Sequence, residues 1–116
     1  MNPEEVSVTA PDGRVLRYWR YLNEAGTAWV RHGAFREAFP DGQVATEGQY
    51  QHGLEAGTWR DFYPSGQVAA EGTYANGKEE GWWRFWDDAG SEEASVLFRG
   101  GAEEPPSSNG ARRRPR

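Results

Sequence analysis

The chain has no cysteine and no isoleucine, and it holds one methionine and one lysine in 116 residues. Without cysteine, disulfides and thiolate metal sites are excluded. Apolar residues make up 36% of the chain, below the usual globular share, and aliphatic side chains are scarce. No stretch is long enough for a membrane-spanning helix, and no basic start followed by an apolar run marks a secretory leader. The expectation is a soluble, cytoplasmic protein. The surplus lies elsewhere, in fifteen glycines and sixteen aromatic residues, six of them tryptophan. Burial must therefore come mainly from rings, which remove large areas from water and stack at defined angles. The length allows one domain with a modest core.

The net charge of −5 conceals an asymmetry. Residues 1–101 carry nine basic and sixteen acidic side chains, a balance of −7. The last fifteen residues set Arg112, Arg113, Arg114 and Arg116 against Glu103 and Glu104. This stretch has nothing to bury and reads as a disordered basic tail, residues 102–116. Four charges on a loose end would touch nucleic acid only weakly and in a salt-sensitive way, so no nucleic-acid partner is expected.

One phrase is written three times. "GAFREAFPDGQVATEGQYQHG", "GTWRDFYPSGQVAAEGTYANG" and "GWWRFWDDAGSEEASVLFRGG" start 24 residues apart and align without gaps. Gly33, Gly57 and Gly81 form one column; Gly42, Gly66 and Gly90 form another. Phe35, Trp59 and Trp83 align, as do Arg36, Arg60 and Arg84, and Ala38, Phe62 and Trp86. Gly48 matches Gly72, Tyr50 matches Tyr74, and Gly53, Gly77 and Gly101 close the set. A period of this size means a stack of supersecondary units. It is clearest over 33–101 and is lost where Pro105 replaces the next glycine, so the domain is expected to span 1–101.

Each copy reads as β. Pro40-Asp41-Gly42 and Pro64-Ser65-Gly66 are turns in which Pro presets one dihedral, Asp or Ser bonds back to the backbone and Gly takes the left-handed position. Such connections favour hairpins with a bulge at Gly. Pro11-Asp12-Gly13 repeats the device between a Val6/Val8 strand and a strand from Arg14 to Leu22. A second kind of connection, over 51–57 and 75–81, reads as longer, with Gly at its centre and end. In the off-period stretch that follows Leu22, either Asn23 to Gly26 turns the chain into a long strand, or Arg31-His32-Gly33 serves as a shortened connection; the first is favoured. No segment carries a helical stripe bounded by caps. The fold class is all-β, a single elongated, twisted antiparallel meander in which each repeat touches only its neighbours.

Register follows from charge. With Tyr50 opposite Trp59, Gly48 faces Asp61, Glu47 faces Phe62 and Glu47 lies diagonal to Arg60. A slip of one residue would oppose Glu47 and Asp61, a disfavoured like-charge pair. Tyr50 and Trp59 then share one face, repeated as Tyr74 and Trp83. Gly48 and Gly72 leave room there for a ring to lie on the backbone, and Arg36, Arg60 and Arg84 form a row on the other face.

The pattern E-G-x-Y-x-x-G-x-x-x-G-x-W-x-x-x-x-x-x-G, present from Glu47 to Gly66 and from Glu71 to Gly90, resembles the MORN repeat. It is closest to the variant found in bacterial proteins, including antitoxin-like ones. The resemblance covers 33–101 well and 6–32 loosely. It implies hairpin repeats and roles as scaffold, membrane-associated module or protein-binding surface. Function must still be argued from sites.

Catalysis finds little support. His32 and His52 each stand beside a turn glycine, are expected in solvent-facing loops, and lack further ligands at metal spacing. No phosphate-cradling loop or nucleophile elbow is present. Glu47 with Glu71, or Glu37 with Asp61, could pose as paired carboxylates. They recur with the repeat, however, as a solvated face does. No enzyme activity, metal or cofactor is expected. Tyr50, Trp59, Tyr74 and Trp83 read as the structural rows that hold hairpin to hairpin, with Gly48, Gly57, Gly66, Gly72, Gly81 and Gly90 as their backbone counterparts. The third copy adds Trp82 and Trp86 on the face opposite Trp83. Phe62, Trp82 and Trp86 around Arg60 and Arg84 form a candidate exposed patch, the composition of a binding hot spot, unless the tail or a partner subunit covers it. The resulting expectation is a protein-binding or scaffold module. The alternative is an antitoxin or immunity protein whose acidic body occludes a basic toxin or effector; a second copy of the chain is the other partner considered. The negative body argues against an anionic membrane.

Overall fold

The computed structural model describes residues 1–105, which form one antiparallel sheet whose nine strands lie side by side in chain order. The strands are β1 (Glu4–Thr9), β2 (Val15–Leu22), β3 (Trp29–Ala38), β4 (Val44–Gln51), β5 (Leu54–Phe62), β6 (Val68–Ala75), β7 (Lys78–Trp86), β8 (Glu92–Arg99) and β9 (Ala102–Glu103). No helix occurs among the described residues, and the sheet does not close into a barrel. The body measures 52 × 34 × 18 Å. The meander expected from the repeat is the architecture observed. Strand pairing continues past residue 101, because Ala102 and Glu103 pair with Arg99 and Phe98. The Arg112 to Arg116 stretch of the expected tail lies outside the described residues.

Turns at one end of the sheet follow the Pro-Asp-Gly reading. Gly42 N–H donates to Phe39 C=O at 2.8 Å, and Phe39 N–H donates to Gln43 C=O at 2.7 Å. The Asp41 carboxylate accepts from Gln43 N–H at 3.0 Å, as Asp12 does from Arg14 N–H. Between β2 and β3 the turn is at Asn23 to Gly26, whose Asn23 amide oxygen accepts from Thr27 N–H at 2.9 Å, so the favoured alternative is the observed one.

The other end requires a correction. The connections expected over 51–57 and 75–81 are two-residue hairpin turns at His52-Gly53 and Asn76-Gly77. All four residues have positive φ, +48°, +88°, +52° and +82°, the requirement of the turn type whose twist matches the strands. Gly57 and Gly81 lie inside β5 and β7, not in the connections. His32 likewise stands within β3 and not in a loop.

The tight turn also shifts the register. Gln51 faces Leu54, Tyr50 faces Glu55 and Glu47 faces Arg60, with an irregularity between Glu47 and Gln49. The expected Tyr50–Trp59, Gly48–Asp61 and Glu47–Phe62 oppositions are therefore absent. The slip beside Glu47 amounts to two residues, and because side chains alternate with period two, the faces survive it. Tyr50 and Trp59 still share a face and meet edge to face, with centroids 5.3 Å apart.

That face holds the core. Phe35, Trp59 and Trp83 are its buried rings, flanked by Leu16, Tyr18, Tyr50, Tyr74, Phe85 and Phe98. Each indole lies on a glycine of the preceding strand: a Cβ placed on Gly48 or Gly72 would fall 2.1 Å or 1.9 Å from the Trp59 or Trp83 ring. Trp59 Nε1–H donates to Gln49 C=O at 3.1 Å and Trp83 Nε1–H to Thr73 C=O at 3.2 Å. Each polar edge is thereby satisfied as its ring is buried. Gly53, Gly77 and Gly101 N–H groups reach the carbonyls of Arg31, Glu55 and Glu79, tying each of these three turns to the strand before its hairpin.

Candidate functional site

On the opposite face the register aligns one side chain per strand into a row: Ser7, Arg17, Arg36, Glu47, Arg60, Glu71, Arg84 and Ser95. From Arg36 onward the signs alternate. The Arg60 guanidinium is held between Glu71, at 2.5 Å, and Glu47, at 3.8 Å. Glu37 accepts instead from Arg14 across the β2–β3 pair, and Asp61 accepts from the Thr46 hydroxyl. The carboxylates are thus members of local ion pairs and hydrogen bonds, repeated with the chain.

Two open depressions lie along this row. The first, of 370 Å³, is walled by Ala34, Arg36, Glu47, Gln49, Thr58 and Arg60 over Gly48. The second, of 280 Å³, is walled by Thr58, Arg60, Glu71, Thr73, Trp82 and Arg84 over Gly72. Adding 24 to each of these residue numbers of the first gives the second. The repeat therefore makes two equivalent hollows that share the Thr58–Arg60 wall and differ in their outer wall. Thr58 in the first becomes Trp82 in the second, and Ala34 becomes Thr58.

The MORN repeat variant family matches residues 31–52 and 56–76, two adjacent copies of which the second supplies the shared wall. These two segments are MORN-type repeats. No curated protein gives a significant match to it. Repeats of this family generally serve as non-enzymatic modules that bind proteins or membranes.

Trp82 is 49% exposed, whereas its chain neighbour Trp83 is 8% exposed and belongs to the core. Trp82 stands opposite Leu97 of β8, so its ring is presented on the ladder face beside Arg84. Of the five candidate patch residues, the structure brings together Arg60, Trp82 and Arg84. Phe62 and Trp86 are half-buried and do not line the hollow. Register irregularities fall between Asp61 and Phe62 and between Phe85 and Trp86, and bulges of this kind re-aim a side chain. The Trp86 carbonyl accepts from the Tyr63 hydroxyl at 2.6 Å. Thr58 and Thr73, members of the hollow, were not singled out from sequence, since small polar residues on a strand carry no signal of their own.

The aromatic face differs in electrostatics. Burial pushes the Tyr74 phenol above its ordinary value, and Glu79, Glu55 and Asp61 push it further. At the far end of the β2–β5 stretch, the His32 and His52 rings lie against each other, tilted by 37° with centroids 4.5 Å apart. His32 Nδ1 accepts from His52 N–H at 3.0 Å and His52 Nδ1 bonds the Tyr21 hydroxyl at 2.9 Å. These bonds hold the positive-φ turn at His52. Among the described residues no group of three or more histidine or carboxylate side chains is placed to hold a metal.

Proposed function

We propose that this protein is a non-enzymatic module that holds a protein partner on its Arg/Glu face, with Trp82 as the anchor. The observation that carries this reading is the pair of equivalent hollows, in which one repeat keeps the wall small and the next builds it from an exposed indole. An exposed tryptophan flanked by arginine, with a neutralised Arg60–Glu71 pair behind it, is the kind of centre that dominates protein interfaces. Trp82 contributes little to the core that Trp83 already fills, so its ring area is available to a partner.

The acidic balance of −7 over residues 1–101 favours a basic partner and would speed encounter with one. An occluded basic toxin or effector is the sharper form of the proposal. The same charge disfavours anionic lipid, which makes a membrane role the weaker alternative.

The test compares the wild type with Trp82→Ala and Arg84→Glu as baits in lysate of the native host, after thermal melts establish that all three are folded. A partner retained by the wild type and lost with both variants supports the reading. Retention of that partner by both folded variants contradicts it. Co-sedimentation with phosphatidylserine vesicles at low salt that is lost with Trp82→Ala would replace the protein partner by a membrane.

A further inference from the structure

We propose that Arg17 and Arg36, with the apolar slot beside them, form a further site that adjoins the first hollow and shares Arg36 with it. It receives an extended partner segment carrying an acidic side chain and, two residues away, an apolar one.

Arg17 and Arg36 are direct partners in the β2–β3 register. Like charges placed directly across two strands destabilise a sheet. In an acidic protein a carboxylate would ordinarily be near enough to relieve them. It is not: among the described residues neither arginine has an ion pair or a side-chain hydrogen bond. The neighbouring cations are provided for. Arg14 pairs with Glu37 at 3.3 Å and Asp12 at 3.6 Å, and Arg60 with Glu71 and Glu47. Glu47, the register partner of Arg36, turns to Arg60 instead. Two exposed arginines thus stand at directly opposed positions without an ion pair, at the end of a row that alternates in sign from Arg36 to Arg84. Paired guanidinium groups offer several N–H donors and match a carboxylate in charge and in planar geometry.

The adjoining register pair on the same face is Val15 and Ala38. Together with Phe39 and Pro40 it completes a 270 Å³ depression whose cationic wall is Arg17 and Arg36. The Phe39 ring is fixed under the Arg14 guanidinium at 5.0 Å. Pro40 abuts the backbone of Gly13, where a Cβ would meet it at 3.2 Å. The apolar end is therefore packed against its neighbours without any ligand. From the arginine pair to the Val15–Ala38 pair is two residues along the strands, about 7 Å. That is the distance between side chains i and i+2 of an extended peptide, which fixes the ligand as acidic, any, apolar. The net negative body disfavours a polyanion such as nucleic acid or anionic membrane, while a single carboxylate followed by an apolar residue meets little repulsion.

The site stands at the β2–β3 end of the ladder, apart from Trp82, and does not depend on the reading of that residue. Its test is a nuclear magnetic resonance titration of the full chain with the capped peptide acetyl-Gly-Ser-Glu-Thr-Leu-Ser-amide. Saturable shifts are expected at the Arg17 and Arg36 Nε–H signals and at the Phe39 amide. Replacing the peptide Glu by Gln should weaken binding at least about tenfold, the factor that one charge-assisted hydrogen bond supplies. Replacing its Leu by Gly should weaken it too, and Arg36→Gln should match the Gln peptide. Arg17→Gln should raise the thermal midpoint, because it relieves the like-charge pair, and this reading is independent of any ligand. The proposal is overturned by absence of saturable shifts at millimolar peptide, by equal binding of the Gln peptide, or by a lowered midpoint for Arg17→Gln. A single-stranded oligonucleotide or phosphatidylserine vesicles that shift the same signals at lower concentration than the peptide would overturn it in favour of a polyanion.

Discussion

The indole of Trp83 lies on the backbone of Gly72 so closely that a Cβ on the glycine would stand 1.9 Å from the ring. Contact at that range cannot be relieved by a small adjustment, because the ring is itself wedged between Tyr74, at 5.1 Å, and Phe98, at 6.3 Å. Gly72→Ala should therefore destabilise the fold by about 3 kcal/mol or more, the upper range for overpacking a filled site. Gly48→Ala should behave alike under Trp59. Urea unfolding followed by tryptophan fluorescence would measure both.

Gly66 is required for a different reason. Its φ of +95° lies where a β-branched residue is strained, while the nearest atom to an added Cβ is the Gln43 side-chain oxygen at 3.4 Å. Gly66→Val should cost about 1 to 2 kcal/mol from the backbone alone. Gly66→Asn, a residue that tolerates this conformation, should cost less. Equal costs in urea titrations would place the effect in side-chain contact instead.

Trp82 and Trp83 separate surface from core within one strand. Trp83→Ala should cost about 3 to 5 kcal/mol, as truncation of a large buried ring does. Trp82→Ala should stay within about 0.5 kcal/mol of the wild type, as surface changes do. Differential scanning calorimetry on the two variants is the comparison.

The raised pKa of Tyr74 predicts a pH dependence. An acid held neutral more firmly in the folded than in the unfolded chain contributes stability that is intact below the unfolded value, near 10.0. That contribution is lost as pH rises through the higher folded value. Tyr74→Phe removes this contribution, so the stability difference between wild type and variant should be constant at neutral pH. It should then move against the wild type above about pH 10. Paired denaturant titrations along a pH series would show it.

Much of the fold could be read from residue types whose effects are local. Pro-Asp-Gly and Pro-Ser-Gly fix a turn by dihedral and side-chain hydrogen bond, so the turns before β2, β4 and β6 are legible, while the turn before β8, Asp88-Ala89-Gly90, carries only the glycine column. At the other end Gly57 and Gly81 read as loop residues by sequence, yet they are left-handed positions inside strands. Asn76-Gly77 was the available signal for the two-residue turn. Face assignment tolerates the resulting shift, four residues at Tyr50 and two at Glu47, because alternation is blind to an even slip. The candidate patch was legible where alternation is unbroken, at Arg60, Trp82 and Arg84, and not at Phe62 and Trp86, which follow irregularities. The Arg17–Arg36 pair was invisible to the repeat. The Asn23–Gly26 turn and its off-period flank displace Arg17 from the arginine column, and only strand pairing reveals what stands opposite it.

The central claim is that one face of the sheet is structural and the other binds. Site-specific photocrosslinking in the native host tests it most directly. A photoreactive residue is placed in turn at Thr58, Thr73 and Trp82 on the Arg/Glu face, and at Glu55 and Glu79 on the aromatic face. The account predicts discrete protein adducts from the first three positions and none from the last two. Adducts confined to positions 55 and 79 would contradict it and move the binding surface to the Tyr50–Tyr74 side.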